Sequence, residues 1–339
     1  MIFPTTRYQG SKRTLLPWIE AAVRDLPFET ALDVFGGTGA VSHLFKRLGK
    51  CVTYNDALAF NWQIGLALIE NSRITLSDDD IALVFAPCDS CPDFIQRTFR
   101  GLFFTDDENA WLDQAVHNIN QRLTDPYKRA LAWFALFQAC LAKRPYNLFH
   151  RANLNMRQRA VKRTFGNKAS WDRPFEAHFR KFAAEANRAV FDNGRENRAL
   201  NLDAFETPTG FDLVYLDPPY VSAKGQGVNY HNFYHFLEGM LDYAHWGDRI
   251  ERDYKHKPLK QQGRSNWYSP ERIVGALDAL IDRHRESIVV LSYRDDGIPS
   301  RDDLIAMLAR HKRNVQVQAQ PQQYALSKKA SHELLLVGI

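Results

Sequence analysis

Two hydrophobic periods alternate along this chain and divide it into recognisable elements. A 3.6-residue repeat predicts a helix over Lys12 to Val23, and the compact apolar run Ala31 to Phe35 predicts a buried strand. A helix over Ala40 to Leu48 and a strand over Cys51 to Tyr54 follow, which is how a βαβ unit begins. From about residue 57 to 143 the pattern reads as successive helices with no convincing strand. One of them, Arg129 to Ala142, is apolar nearly all round and is expected to be buried. A helix from about Arg173 to Val190 carries Phe175, Phe179, Phe182 and Ala186 on one face. Strand character resumes at Arg198 to Leu202 and Phe211 to Leu216. Then come a helix at Pro270 to Arg283, a strand at Ser287 to Ser292 and a helix at Arg301 to Ala309. Two last strands, Asn314 to Gln318 and Glu333 to Val337, are spaced to pair as antiparallel neighbours.

Strand–helix alternation at both ends implies an α/β fold, a mostly parallel sheet with helices on each face and an antiparallel C-terminal strand. Residues 1–60 and 195–339 are expected to form the sheet domain, and 61–194 a helical insert. No internal repeat or low-complexity tract interrupts this plan.

Composition narrows the class. The 339 residues are 45 % hydrophobic, which excludes disorder. MIFPTTRYQGSK lacks the apolar core of a signal peptide, and the near-apolar run Ala130 to Ala142 is too short to span a bilayer. A soluble, cytoplasmic protein is expected. The four cysteines fit a reducing compartment. Cys88 and Cys91 make one C-x-x-C with no second pair nearby, so they read as an ordinary loop with two thiols, and no metal is expected.

The net charge of +5 is unevenly placed. Lys143 to Trp171, without one acid, holds Lys143, Arg144, Arg151, Arg157, Arg159, Lys162, Arg163 and Lys168, interleaved with Tyr146, Phe149, Phe165 and Trp171. Aromatics and asparagines within so long an unbalanced run point to a polyanion-facing surface rather than a solvated loop.

ALDVFGGTGAVSHLF (31–45) is a strand, a glycine turn and a helix start. Gly36, Gly37 and Gly39 let the backbone approach a ligand in front of free helix N–H groups. Two details favour S-adenosylmethionine over a dinucleotide. Ser42 occupies the place of the third glycine, and Asp33 inside the strand needs a cationic partner such as a methionine ammonium. Asp56, after the second strand, is placed to hold ribose hydroxyls, or else to cap the next helix.

The strand at 211–216 runs into Asp217-Pro218-Pro219-Tyr220. Two prolines fix the backbone and remove two N–H donors, so a carboxylate stands beside main-chain carbonyls. Such paired acceptors suit an –NH₂ group held by both hydrogens, and Tyr220 offers a flat face to a planar base. Holding both hydrogens of an exocyclic nucleobase amine would turn its delocalised lone pair toward an activated methyl group. That catalysis rests on orientation and electrostatics. A base in a duplex would have to be flipped out to reach it.

With these residues together, the chain resembles the Dam-type, alpha-group DNA N6-adenine methyltransferases. RYQGSKRTLLPWI (7–19) is similar to their N-terminal motif, DVFGGTG (33–39) to their cofactor loop and DPPY (217–220) to their catalytic motif, in that order. The resemblance implies a Rossmann-like, S-adenosylmethionine-dependent methyltransferase sheet whose helical insert is a target-recognition domain. It implies that Tyr8, Lys12, Asp33, Phe35, Gly36, Gly37, Gly39, Asp56 and Asp203 line the cofactor site. Asp217, Pro218, Pro219 and Tyr220 would form the catalytic motif. RPYNL (144–148) resembles the start of the family's DNA-reading hairpin, so Arg144, Tyr146, Asn147, Arg151, Asn155, Arg157, Arg159, Lys162 and Arg163 are the expected DNA contacts. The basic tract Asn229 to Trp267 is a candidate second DNA-facing loop. The chain departs from the family in opening its cofactor loop with Asp33-Val34 where Glu-Pro is common.

The implied partners are double-stranded DNA, bound by a monomer, and a cognate restriction endonuclease. An RNA methyltransferase acting on adenine N6 or guanine N2, and a catalytically inactive DNA-binding relative, are the alternatives. An oxidoreductase using NAD lacks the third glycine and any evident hydride-transfer residues.

Overall fold

The computed structural model describes residues 2–159, 168–261, 263, 265–322 and 331–339. Among these residues nine strands are formed: β1 (Thr30–Asp33), β2 (Cys51–Asn55), β3 (Arg198–Leu200), β4 (Leu213–Leu216), β5 (Val221–Ser222), β6 (Ile288–Arg294), β7 (Gly297–Ile298), β8 (Val315–Gln322) and β9 (Ser331–Gly338). Seven of them make one sheet in the order β3-β2-β1-β4-β6-β9-β8. The pairs from β3 through β6 are parallel, whereas β9 runs antiparallel to both β6 and β8. The expected elements of this sheet form within a few residues of their expected bounds, including the last antiparallel pair.

The chain falls into two compact units. One comprises residues 9–57, 193–230 and 262–339 and holds the sheet; the other comprises 1–8, 58–192 and 231–261 and is helical. Residues 1–8 and 231–261, expected with the sheet domain, cluster with the helical unit instead.

In the sheet unit the strand period of two sorts the side chains. Leu32 and Val34, Val214 and Leu216, Val289 and Leu291, and Leu334 and Leu336 form one face of the core, with Ile273, Leu277, Leu304 and Leu308 from helices Ile273–Arg283 and Arg301–His311. On the other face Tyr215 meets Phe45 of helix Ala40–Arg47 at 6.2 Å between ring centres. With both faces covered, β4 is buried at all four positions, which explains its unbroken apolar run.

β1 is flanked by β2 and β4, and the chain winds outward from this pair in opposite directions. β1/β4 is therefore the topological switch point, where open α/β sheets hold ligands beyond the strand C-termini. The glycine turn follows β1, and Asp217-Pro218-Pro219-Tyr220 follows β4.

In the helical unit, helix Pro126–Ala142 is buried at every position from Ala130 to Ala142, as its apolar circumference predicts. It packs on helices Phe175–Ala189 and Ala59–Gly65. A second cluster joins Phe99, Phe103, Phe149, Phe236 and Trp246. Here Gly239 is needed because a Cβ would lie 1.9 Å from the Trp246 indole. No helix among the described residues is long and apolar enough to cross a membrane.

Candidate active site

The turn after β1 is fixed by its own backbone. Gly36 N–H donates to Asn55 O at 2.8 Å, and Gly39 N–H to Gly36 O at 2.8 Å. Gly39 caps helix Ala40–Arg47 at φ 74°, where a side chain would be strained. A Cβ on Gly36 would lie 2.1 Å from the Tyr54 ring, so that glycine is required for packing. Gly37 N–H donates to Asp56 Oδ2 at 2.9 Å, tying the end of β2 to the turn. Asp56 therefore does not cap the next helix, whose N-cap is Leu58.

Asp33 is 1 % exposed. Ser42 Oγ donates to its Oδ2 at 2.6 Å, which gives a physical use to the serine found in place of a third glycine. Its Oδ1 is buried without a partner. Burial pushes the carboxyl up to about 7, and Asp217 and Asp56 add to the rise. An orphaned acid oxygen at the foot of a glycine turn fits a cationic ligand group.

The segment Asp217-Pro218-Pro219-Tyr220 carries a denser network. Lys12 Nζ lies 2.7 Å from Asp217 Oδ2 and 3.4 Å from Glu333 Oε1. Tyr220 OH donates to Asp217 Oδ1 at 2.9 Å and also faces Glu333 Oε1, which accepts from Ser292 Oγ at 2.6 Å. Burial opposes the Lys12 charge, but the two carboxylates outweigh it and hold the ammonium above its ordinary range. Asp217 is raised by burial, an effect that Lys12 offsets in part and Glu333 reinforces. Each carboxylate oxygen has two lone pairs, so Asp217 keeps acceptor capacity beyond its two internal partners. Its side chain retains 15 % exposure.

The N-terminal motif enters this network through Lys12, at the first turn of the helical run that continues as Leu16–Val23. Gly10, at φ +85°, leaves room for Tyr230, whose hydroxyl would be 2.6 Å from a Cβ there. Phe35 meets Trp267 edge-on at 4.8 Å, and Phe205 stacks on the same indole at 5.5 Å, forming an aromatic wall after Asp203. Asp203 itself accepts from Phe205 N–H and caps a single helical turn. Tyr8 belongs to the helical unit, stacked on Tyr234 at 4.7 Å, with its hydroxyl accepting from Asn61.

Sequence reasoning missed Glu333, Ser292, Tyr230 and Trp267. An acid starting an otherwise apolar strand, Glu333 before LLLV, was the available signal for the first.

The basic segment needs correction. Arg144 is buried, donating to the carbonyls of Leu148 and Arg151 and lying over the rings of Phe103 and Phe149. Arg157 is buried in a forked pair with Glu108, which also binds Lys143. These cations complete the core of the helical unit and are not phosphate contacts. Among the described residues, the expected start of a hairpin is instead a single turn at Pro145–Asn147 followed by helix Leu154–Gln158. Tyr146, Arg151, Asn155 and Arg159 are exposed and Asn147 is half-buried, with Tyr146 and Asn147 both at positive φ. Lys162 and Arg163 lie outside the described residues. In the second basic tract, Arg249 pairs with Asp242 and Lys257 donates to Thr98 O, leaving Arg252 and Lys255 exposed.

Cys88 and Cys91, read as free thiols, are joined as a disulfide.

Comparison with known proteins gives the same answer as the geometry. The family model of the D12 class N6 adenine-specific DNA methyltransferases matches residues 8–272. The chain is 31 % identical to the type II methyltransferase M2.HphI of Haemophilus parahaemolyticus over 98 % of its own length and 95 % of the relative's. It is 28 % identical to the modification methylase StsI of Streptococcus sanguinis, over 89 % of this chain and 46 % of that protein. It is 22 % identical to the type II methyltransferase M.NlaIII of Neisseria lactamica, over 86 % and 84 %. The RNA-directed alternative is thereby set aside. With its glycine turn and Asp217 intact at the switch point of the sheet, the chain belongs to the D12 class of N6 adenine-specific DNA methyltransferases.

Proposed function

We propose that this enzyme transfers a methyl group from S-adenosylmethionine to N6 of an adenine flipped out of duplex DNA, within one short recognition sequence. The observation that carries the proposal is the Lys12–Asp217–Tyr220–Glu333 network beside a glycine turn with a half-satisfied buried acid. The donor supplies an electrophilic methyl on a sulfonium. Asp33 would meet its ammonium, the backbone of Phe35 to Gly39 would accommodate its body, and Asp56 would hold its ribose. The aromatic wall of Phe35, Trp267 and Phe205 suits its adenine ring, with Asp203 at the edge.

Asp217 and the Pro218 carbonyl accept the two hydrogens of the target amine, which localises its lone pair for in-line attack. Lys12 keeps Asp217 ionised against burial, so that the carboxylate can accept. Tyr220, fixed at its hydroxyl, presents its ring to the extruded base. Exposed Tyr146, Arg151, Asn155 and Arg159 would meet the duplex, the arginines supplying phosphate contacts. A relative named as a type II methyltransferase and another named as a modification methylase support a restriction-linked setting with a cognate endonuclease.

The deciding experiment is Asp217→Ala. Methyl transfer to DNA should vanish while DNA affinity stays within about twofold; turnover in this variant would remove the carboxylate from the mechanism.

A further inference from the structure

Cys88 and Cys91 lie in the loop between helices Asp78–Phe85 and Phe94–Thr98, and His117 projects from helix Asp106–Arg122. One ring nitrogen of His117 and the two sulfurs all lie within 4.8 Å of one another, and the three residues are half-buried. Sequence reading dismissed this C-x-x-C for want of a nearby second pair, but the third member stands on a helix that begins 15 residues later in the chain (106 − 91).

The loop is held against that helix on both sides of the cysteines. On the entry side, Gln114 Nε2 donates to Phe85 O at 3.2 Å. Asn118 Nδ2 donates to Val84 O and Ala86 O at 3.0 and 2.8 Å, and Arg122 to Pro87 O at 3.1 Å. On the exit side, Asp113 accepts the N–H groups of Ile95 and Gln96 at 2.8 and 2.9 Å. Residues 114, 118 and 122 follow one helical row, and 113 and 117 the adjacent row. The chain on either side of the cysteines is therefore tied to the helix that carries His117 by hydrogen bonds that do not involve the sulfurs. Two thiolates and an imidazole on so constrained a frame are the donor set that a borderline-soft divalent ion selects.

We propose that, once reduced, Cys88 and Cys91 bind a zinc ion together with His117, leaving a fourth tetrahedral position for water. Reduction requires a dithiol, which gives two electrons and two protons to the S–S bond and becomes a disulfide itself. Zinc then replaces the two thiol protons, which are released. The site lies wholly within the helical unit and uses none of the residues assigned to methyl transfer, so it stands or falls independently of that assignment.

The test is the zinc content of the full chain, purified under a dithiol reductant with zinc supplied and then dialysed. About one zinc per chain is expected for the wild type. Cys88→Ser, Cys91→Ser and His117→Ala should each fall to background. Cobalt substitution of the wild type should give the visible bands of a tetrahedral thiolate complex, a readout that needs no variant to fold. Zinc absent from the reduced wild type would overturn the proposal. So would zinc retained in both Cys88→Ser and His117→Ala, or mass spectrometry showing the S–S bond intact under the reductant.

Discussion

Lys12 Nζ sits 2.7 Å from Asp217 Oδ2, linking the N-terminal motif directly to the carboxylate of Asp217-Pro218-Pro219-Tyr220. The lysine is buried and the carboxylate half-buried, and the lysine also faces the buried Glu333. Desolvation raises Asp217, Lys12 offsets part of that rise, and Glu333 adds to it. Replacing Lys12 with Met removes the group that pulls Asp217 down, so its ionisation moves to higher pH. The acid limb of the rate profile should shift upward, and kcat at neutral pH should fall by about 100-fold or more. A pH–rate profile measures both, and an unmoved acid limb would separate Lys12 from Asp217.

Glu333→Gln should act in the opposite sense. The amide keeps a partner for Ser292 and Tyr220 but withdraws the negative charge that raises Asp217. The acid limb should then move to lower pH, with a smaller loss of kcat than Glu333→Ala, which also removes the hydrogen bonds. Opposite shifts in the two variants would be hard to produce by general loosening of the site.

What could be read in advance from the chain divides along physical lines. β1, β4 and the glycine turn were legible because burial and backbone geometry are written in local residue types: an apolar run, then glycines or prolines. Lys12 and Asp217 were legible as motif members. Glu333 was not, because its role depends on β9 lying beside β6, which places it at the same level as Arg294. Within the basic segment, Lys143 and Arg157 misled for the same reason. Their missing acid is Glu108, supplied from a different helix, and that pairing turns Lys143 and Arg157 from surface cations into core ones. Local charge counts cannot see a partner that folding brings in.

This distinction yields a stability test. Arg157→Ala removes a buried partner of a half-buried Glu108 and should cost about 3 kcal/mol in unfolding free energy. Arg159→Ala, at an exposed position, should leave stability within about 0.5 kcal/mol. It should instead weaken DNA binding and reduce the salt slope by about one. Denaturant melts and salt-dependent binding on the two variants give a crossed pattern. A salt effect from Arg157 without a stability loss would return that residue to the surface.

Asp33 gives the protein a pH dependence of its own. Its folded value of about 7 stands above the ordinary 3.8, so between those limits the folded state holds more protons than the unfolded. Stability without ligand should fall as pH rises through that window, by a few kcal/mol at most. Asp33→Asn cannot ionise, so the ligand-free variant should hold its melting temperature from pH 5 to pH 8 better than the wild type. A cationic ligand beside Oδ1 favours the carboxylate, so added S-adenosylmethionine should stabilise the wild type more at pH 8 than at pH 6. It should do little for Asp33→Asn at either pH. Equal stabilisation of the two proteins would place the ammonium elsewhere.

The two roles proposed for Tyr220 can be separated by substitution. Its hydroxyl is bound to Asp217 and Glu333, and its ring packs on Tyr293 with 4.8 Å between centres. Tyr220→Phe keeps the face and loses the anchor, whereas Tyr220→Ala loses both. With 2-aminopurine at the target position, base extrusion raises fluorescence because unstacking relieves quenching. Tyr220→Phe should preserve that rise while shifting the acid limb of kcat, since a hydrogen bond to Asp217 is gone. Tyr220→Ala should change the fluorescence response itself and cost about 1–3 kcal/mol in stabilising the extruded base. If the alanine variant extrudes the base just as the wild type does, the ring is not the surface on which the base rests, and Tyr220 serves Asp217 alone.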